Sequence, residues 1–448
     1  MESHARKLPN LSLQPNTFLR FYLPLLLLGI VAWNSTFFPD HFTLEFLLFL
    51  WILGLSLCFP FLTHHLQDGS RTFFICILVG IGARVGLIQS PAYFEDDFHR
   101  YLVEGQALSN GVDPYLTSPE EFGDSILFSK VQIPQELRKS LYIHSLQAGY
   151  SWMPAIYPPL VIYWFSFSDS LQELGFFSLA LEILILSLCY LLLPPAKRWV
   201  LLLWFLHPLV LVEGYLNRHY DLLIGLCLLF TLCSKIKGWS RIAGIALGFA
   251  VHLKGYALIY LPFFSGRVLR FGIGSLLLLE FISYLWYPTR FDSNSSMELF
   301  VSLWEFNNGI FTGLRILAQR FMDSSSATLY LRILFAILLA AGWLFVYRHR
   351  EESRISPFLQ VTLLFMLLSP VANPWYFLMS IPFFLLPPQQ PRHWFLLAPC
   401  SLYYLLYLCG DPLRALWLTT PVTLLILVLA LRKTYNKKPV VGSQTSGS

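Results

Sequence analysis

Residues 174–193 read LGFFSLALEILILSLCYLLL, twenty positions with a single charge, Glu182. A helix rises 1.5 Å per residue, so this run is long enough to cross the hydrocarbon core of a bilayer, which takes about 17 to 25 apolar residues. The stretch is not isolated. Comparable runs lie at 20–37, 44–62, 73–88, 199–215, 220–233 and 242–264, and again at 268–287, 329–347, 358–371, 376–386, 394–409 and 415–431. The runs are continuously apolar and too long for tilted strands, so the sequence predicts an all-α polytopic membrane protein of roughly 12 to 14 transmembrane helices.

Composition agrees. Of 448 residues, 56% are hydrophobic and 13% charged, about half the ~25% charged share of soluble proteins. The net charge of +5 does not point to nucleic acid, because the basic residues gather in short loops between the runs: Arg6 and Lys7, Lys197 and Arg198, 235–241, Arg267 and Arg270, 348–354, and 432–438. That is the positive-inside pattern, which puts these loops and both termini in the cytoplasm. Residues 1–17 then form a cytoplasmic tail, 18–438 a single membrane domain, and 439–448 a disordered tail of small polar residues. The first apolar run lacks a small-residue cleavage site and is expected to stay as an anchor. The seven cysteines are scattered through apolar runs without a C-x-x-C pair, so neither a disulfide framework nor a zinc site is indicated.

This threading sends four segments to the opposite face: the long loop 90–155, the turn 217–221, the loop 287–326 and the corner 373–376. The run 242–264 must cross out and back to keep the parity. A break near Lys254 and Gly255 is therefore expected, and an intramembrane ammonium there is costly unless paired or facing water. The run 156–167 opens on prolines and is too short to span.

The loop 90–155 holds the most unusual polar sequence, FEDDFHRYLVEGQALSNGVDPY from Phe94 to Tyr115. Phe98, Tyr101, Leu102 and Leu108 recur at near-helical spacing, which predicts an amphipathic helix along the membrane surface, ended by Asn110 and Gly111. Glu95, Asp96 and Asp97 sit at its start. They are either caps and dipole partners of that helix or a general base, since a carboxylate that accepts a hydroxyl proton as a bond forms must be held at such a mouth. Neighbouring carboxylates push one pKa upward, and Arg100, one turn on, either offsets that shift or grips a phosphate.

Taken in order, several motifs resemble one family. Asp96-Asp97-x-x-Arg100-Tyr101 with Glu104-Gly105 and Gly111-Val112-Asp113-Pro114-Tyr115 is similar to the D-D-x-Y-R-Y-x-W-D-G…G-x-N-P-Y loop of bacterial polyprenyl-phosphate-mannose-dependent mannosyltransferases of the GT-C superfamily. Ile156-Tyr157-Pro158-Pro159-Leu160 resembles their I-Y-P-P-L, Asn217-x-His219-x-Asp221 their G-H-N-D turn, Lys254 a recurrent lysine, and Asn373-Pro374-Trp375-Tyr376 their H-P-W-Y corner. The resemblance implies a GT-C-like bundle in a bacterial plasma membrane, an active site on the extracytoplasmic face, a polyprenyl-phosphate sugar donor and inverting transfer of a hexose, mannose first, to a glycan or lipid-linked acceptor. By this alignment Asp97 is the expected base and Asp96 the second candidate. Glu104 in place of Asp, Asp113 in place of Asn, Arg218 within the turn, and Asn373 in place of His bear on which sugar is carried.

The remaining expectations follow from the resemblance, with chemistry and position beside it. Lys254, Arg100 and Arg218 are the expected donor-phosphate ligands. Glu104, Tyr115, Tyr157, His219, Asp221, Asn307, Asn308, Trp375 and Tyr376 are the expected sugar and acceptor ligands. Each has a plainer role as well: Asn217 and Asp221 as helix caps, Arg218 against lipid headgroups, Lys254 snorkelling, Asn307-Asn308-Gly309 as a turn, Trp375 and Tyr376 as interface anchors. Glu182, Glu213 and Glu280 are expected to make polar contacts between helices. No cofactor is indicated; a divalent metal is compatible with the paired aspartates but nothing else supports it, and there is no Walker A or dinucleotide fingerprint. A secondary transporter or lipid flippase and a lipid-linked oligosaccharide ligase or polymerase are the competing classes.

Overall fold

In the computed structural model the described residues are 71–90, 96–128, 134–291, 309–350, 356–371 and 373–385, with Ser296, Glu298 and Glu305 between them. Among these residues the architecture is helical with no strand. The elements are α1 (Arg71–Gln89), α2 (Asp97–Ser109), α3 (Pro119–Phe128), α4 (Gln135–Gln147), α5 (Pro159–Phe165), α6 (Leu171–Leu192), α7 (Val200–Phe205), α8 (Pro208–Leu211), α9 (Asp221–Ile236), α10 (Ser240–Leu253), α11 (Gly266–Trp286), α12 (Gly309–Ala318), α13 (Ser324–Arg348), α14 (Pro357–Leu368) and α15 (Ile381–Leu385).

Three helices, α6, α11 and α13, are long and apolar enough to cross a membrane. A fourth candidate is the pair Leu209–Leu216 and Asp221–Ile236, bent by 116° across its break. Large apolar side chains stand exposed along two of these helices, Leu277, Leu278, Phe281, Leu285 and Trp286 on α11 and Leu329, Tyr330, Ile333 and Ile337 on α13. Continuous apolar surface of this kind suits lipid and not water.

The count falls short of the expected 12 to 14 among the described residues. The runs 20–37, 44–62, 394–409 and 415–431 lie outside them, as do the two tails at 1–17 and 439–448. Several of the others are interrupted. The run 199–215 divides at His207, because Pro208 has no N–H to continue the ladder, and proceeds through α8 into a π-helical turn, Val212–Leu216. The run 242–264 breaks where expected: α10 stops at Leu253, Lys254 is extended (φ −155°, ψ 109°), and a 3-10 segment, Gly255–Phe263, follows. The run 376–386 opens on a 3-10 segment, Pro374–Ser380, before α15.

Close helix contacts use small residues. A Cβ at Gly244 would stand 2.5 Å from the Val268 carbonyl oxygen, and one at Gly248 2.6 Å from that of Gly272, so the Gly-x-x-x-Gly stripe of α10 brings its backbone against α11. Glu182 of α6 meets Arg84 of α1 in a fully buried pair (2.5 and 2.6 Å), and the Tyr215 hydroxyl donates to the same carboxylate. This is the helix-to-helix polar contact expected of Glu182.

α2 begins and ends as its sequence indicates, with Asn110 at the C-cap and Gly111 at φ +75°. Its environment differs. Nine of its thirteen residues are buried, Arg100, Glu104 and Gln106 among them, so it is enclosed and does not lie along a surface. Gly105 allows the contact that closes over it: a Cβ there would lie 2.6 Å from the backbone carbon of Phe165 in α5. α5 has seven residues, too few to span, as its prolines imply.

Candidate active site

Asp97 opens α2, and Asp96 is its N-cap, yet the Asp96 side chain makes no capping hydrogen bond. Capping therefore does not account for the acids. Asp97 keeps partial access to solvent although protein surrounds its carboxylate, and that carboxylate accepts no hydrogen bond among the described residues. Burial first, and then the neighbouring Asp96 charge, push it up to about 6 against the pull of Lys254 and Arg100. Partial desolvation raises Asp96 as well, although this residue is exposed at the helix start. The Asp96 carboxylate lies directly over Gly149, where a Cβ would meet Oδ1 at 2.6 Å.

Lys254, itself the extended residue that ends α10, lies near enough to Asp97 to pull on its charge. Its Nζ donates to Asp221 Oδ2 at 2.7 Å, and the Tyr256 hydroxyl donates to Asp221 Oδ1 at 2.9 Å. Three rings surround the ammonium, Tyr220 at 4.8 Å, Tyr256 at 5.0 Å and Tyr376 at 5.3 Å from Nζ to centroid, each an attractive cation–π contact. The carboxylate and the rings together meet the cost of sinking an ammonium here, so the snorkelling alternative does not describe it.

The aromatic wall continues. Tyr101, one turn past Asp97, stacks on Phe165 and meets Tyr157 and Tyr220 edge-on. Its hydroxyl lies 3.2 Å from His219 Nδ1, and His219 stacks on Trp375 at 3.9 Å. On the far side of the imidazole, Nε2 lies 3.4 Å from Glu213 Oε2 without a hydrogen bond, and that oxygen accepts from Asn217 Nδ2 at 3.0 Å. Tyr115 donates to the Tyr157 carbonyl at 2.5 Å and so fixes the Tyr157-Pro158-Pro159 bend. The structure thus draws together Asp97, Asp96, Tyr157, His219, Asp221, Lys254, Trp375 and Tyr376, with Tyr115 supporting Tyr157. Asn307 and Asn308 lie outside the described residues.

Two expected phosphate ligands are corrected. Arg100 is buried with its donors committed: Nε and Nη2 to Glu104 Oε1 (2.9 and 2.5 Å), Nη1 to the carbonyls of Gly149 and Tyr150, and Nη2 to those of Met153 and Pro154. Arg218, at φ +57°, gives its N–H groups to the carbonyls of Leu171, Leu216, Ile88 and Ser90. Each guanidinium ties loop backbone together from inside; Arg100 has no N–H left for a phosphate and Arg218 keeps one of its five. Glu104 is then the partner of Arg100 and not a free sugar ligand, although its Oε2 has no hydrogen-bond partner among the described residues. Asn217 Oδ1 and Asn373 Oδ1 are likewise buried and open. Buried polar atoms without partners are uncommon in folded chains and mark where a ligand or water belongs.

Tyr220, Tyr256 and Glu213 belong to the cluster but were not singled out by sequence as site residues. Tyr220 and Tyr256 had one available signal, adjacency to Asp221 and Lys254. Among the described residues, no three of His, Cys, Asp or Glu are arranged to hold a metal ion. No protein-family description, curated protein or solved structure matches this chain.

Proposed function

We propose that this chain is a membrane glycosyltransferase that moves a hexose from a polyprenyl-phosphate donor to a hydroxyl of a glycan or lipid-linked acceptor on the extracytoplasmic face. The observation that carries the reading is Asp97: a carboxylate free of hydrogen bonds among the described residues, raised to about 6, and within electrostatic reach of an ammonium ringed by tyrosines. A group so placed is poised to accept a proton near neutral pH. The GT-C-like bundle of 12 to 14 helices and the mannose preference stay with the motif resemblance.

In this reading the acceptor hydroxyl gives its proton to Asp97 as its oxygen attacks the anomeric carbon. The bond from that carbon to the phosphate oxygen breaks, its electron pair leaves with the phosphate, and configuration inverts. Lys254 faces the growing negative charge. An ammonium has three donors and Asp221 takes one, so N–H bonds remain for a phosphate oxygen. Among the described residues Arg100 is fully committed and Arg218 nearly so, and one ammonium beside Asp97 suits the single charge of a phosphodiester better than a diphosphate, which favours a monophosphate donor over that of an oligosaccharide ligase. The aromatic rings offer faces for a sugar, and the open oxygens of Asn217 and Asn373 accept from hydroxyls.

Membranes carrying the protein, given radiolabelled polyprenyl-phosphate mannose and other hexose donors, test this directly. Transfer should fall about a hundredfold or more in Asp97→Asn, the usual worth of a positioned base. Undiminished transfer in both Asp97→Asn and Asp96→Asn would sink the assignment. Vesicle uptake of the labelled lipid without any transfer would make the protein a transporter.

A further inference from the structure

α4 presents its apolar residues in the wrong direction for a helix that only packs on protein. Leu141 and Ser145 face inward and are buried. On the opposite side Lys139, Ile143 and Leu146, at i, i+4 and i+7, stand exposed, with Ile143 at 44% and Leu146 at 55%. The stripe runs into the turn after the helix, where Tyr150 (55%) and Trp152 (62%) project outward while Met153 and Ala155 beyond them are buried.

That turn is built to hold its rings out. Tyr150 has φ +51°, a left-handed conformation that is strained for a residue with a bulky side chain and persists only where its surroundings impose it. The surroundings are Arg100, whose guanidinium grips the carbonyls of Gly149, Tyr150, Met153 and Pro154 from below. Further bonds pin the turn to the start of α3, from Glu120 N–H to the Ser151 carbonyl at 3.1 Å, and to Pro114 through the Ala155 N–H at 2.8 Å. Leu116, 63% exposed, lies on the segment that runs beside it.

We infer that the exposed face formed by Lys139, Ile143, Leu146, Tyr150 and Trp152 is a membrane-interface anchor that seats this part of the chain in the headgroup layer of the bilayer. The chemistry selects that occupant. Trp and Tyr are the side chains that favour the boundary between hydrocarbon and water, two aliphatic residues supply apolar area to its inner side, and a lysine in the same stripe meets lipid phosphates. Because Gly149 packs under the Asp96 carboxylate and the same Arg100 holds the turn to α2, the anchor fixes the depth of the Asp96-Asp97 mouth at the plane where a lipid phosphate lies. The inference goes beyond the proposed reaction and does not depend on it.

The full chain, reconstituted in phosphatidylcholine bilayers brominated near the glycerol end of the acyl chains, provides the test, with Trp152→Phe as the reference. Trp152 is exposed, so the substitution leaves packing intact, and the difference between the two proteins isolates one ring from the thirteen tryptophans. Its fluorescence should fall by more than half in brominated bilayers and respond weakly to aqueous iodide. Quenching by iodide and not by brominated lipid would place the face in water and overturn the inference. Shielding from both, with cross-linking between copies through Cys introduced at Leu146, would assign the face to a second copy of the chain and overturn it equally.

Discussion

The Asp97 carboxylate is costly to keep charged where it stands, and this gives it a pH signature. Its folded value of about 6 lies above the ordinary 3.8, so between those values the folded chain binds more protons than the unfolded one. Its contribution to stability is present below pH 4 and is lost as pH rises through 6. Asp97→Asn removes the penalty, and the variant should gain about 2 to 3 kcal/mol at pH 7.5, read from thermal unfolding in detergent. Stability gained with activity lost is the mark of a functional carboxylate; a variant that unfolds more easily would show that Asp97 supports the fold. Transfer by the wild type should rise through pH 6 and level above it, since the base must be ionised. His99 has the opposite sign. Burial, His144 with its Nδ1 only 2.6 Å away, and Arg218 hold it down to about 4 from 6.5. The unfolded chain binds more protons in that interval, so this contribution is present above pH 6.5 and is lost as pH falls towards 4. His99→Gln should flatten the acid limb of a stability-versus-pH profile by about 1 to 3 kcal/mol, discounted for its partial exposure.

At the scale of elements, α2 is held by a guanidinium and α10 by absent side chains. Arg100→Lys keeps the charge but removes the planar fork that reaches Glu104 and four carbonyls, so the 149–154 turn loses its tie. Destabilisation of about 3 to 5 kcal/mol is expected, the cost of breaking a buried pair, measured by denaturant unfolding. If Arg100 were a phosphate ligand instead, stability would hold and only donor binding would weaken. On α10, Gly248→Ala sets a methyl group 2.6 Å from the Gly272 carbonyl oxygen. Backbone does not yield there, and overpacking should cost about 1 to 3 kcal/mol, whereas Gly274→Ala on α11, where a Cβ meets nothing, should be neutral.

Over the whole molecule the sequence predicts that the basic loops face the cytoplasm, an expectation testable without a substrate. Cys in place of Glu120, exposed beside the candidate site, should react with an impermeant maleimide in intact cells, while Cys in place of Lys237, in the turn between α9 and α10, should react only after permeabilisation. Both labelled from outside would overturn the orientation. Much of the architecture was legible from sequence: the break near Lys254 is expected from the threading parity of the apolar runs, while the all-helical class follows from apolar run length and the bounds of α2 from spacing and Asn110-Gly111. The last two are local rules, acting over a few residues or on one segment's transfer from water, and a sequence states them directly. What only the tertiary structure decided is how donors and acceptors pair across long separations. Lys254 finds Asp221, and Arg218 and Arg100 spend their N–H groups on carbonyls of Ile88, Leu171, Gly149 and Met153. A guanidinium reads as a free charge until the fold shows which carbonyls surround it, because hydrogen-bond capacity is exhausted by neighbours in space and not by neighbours in the chain.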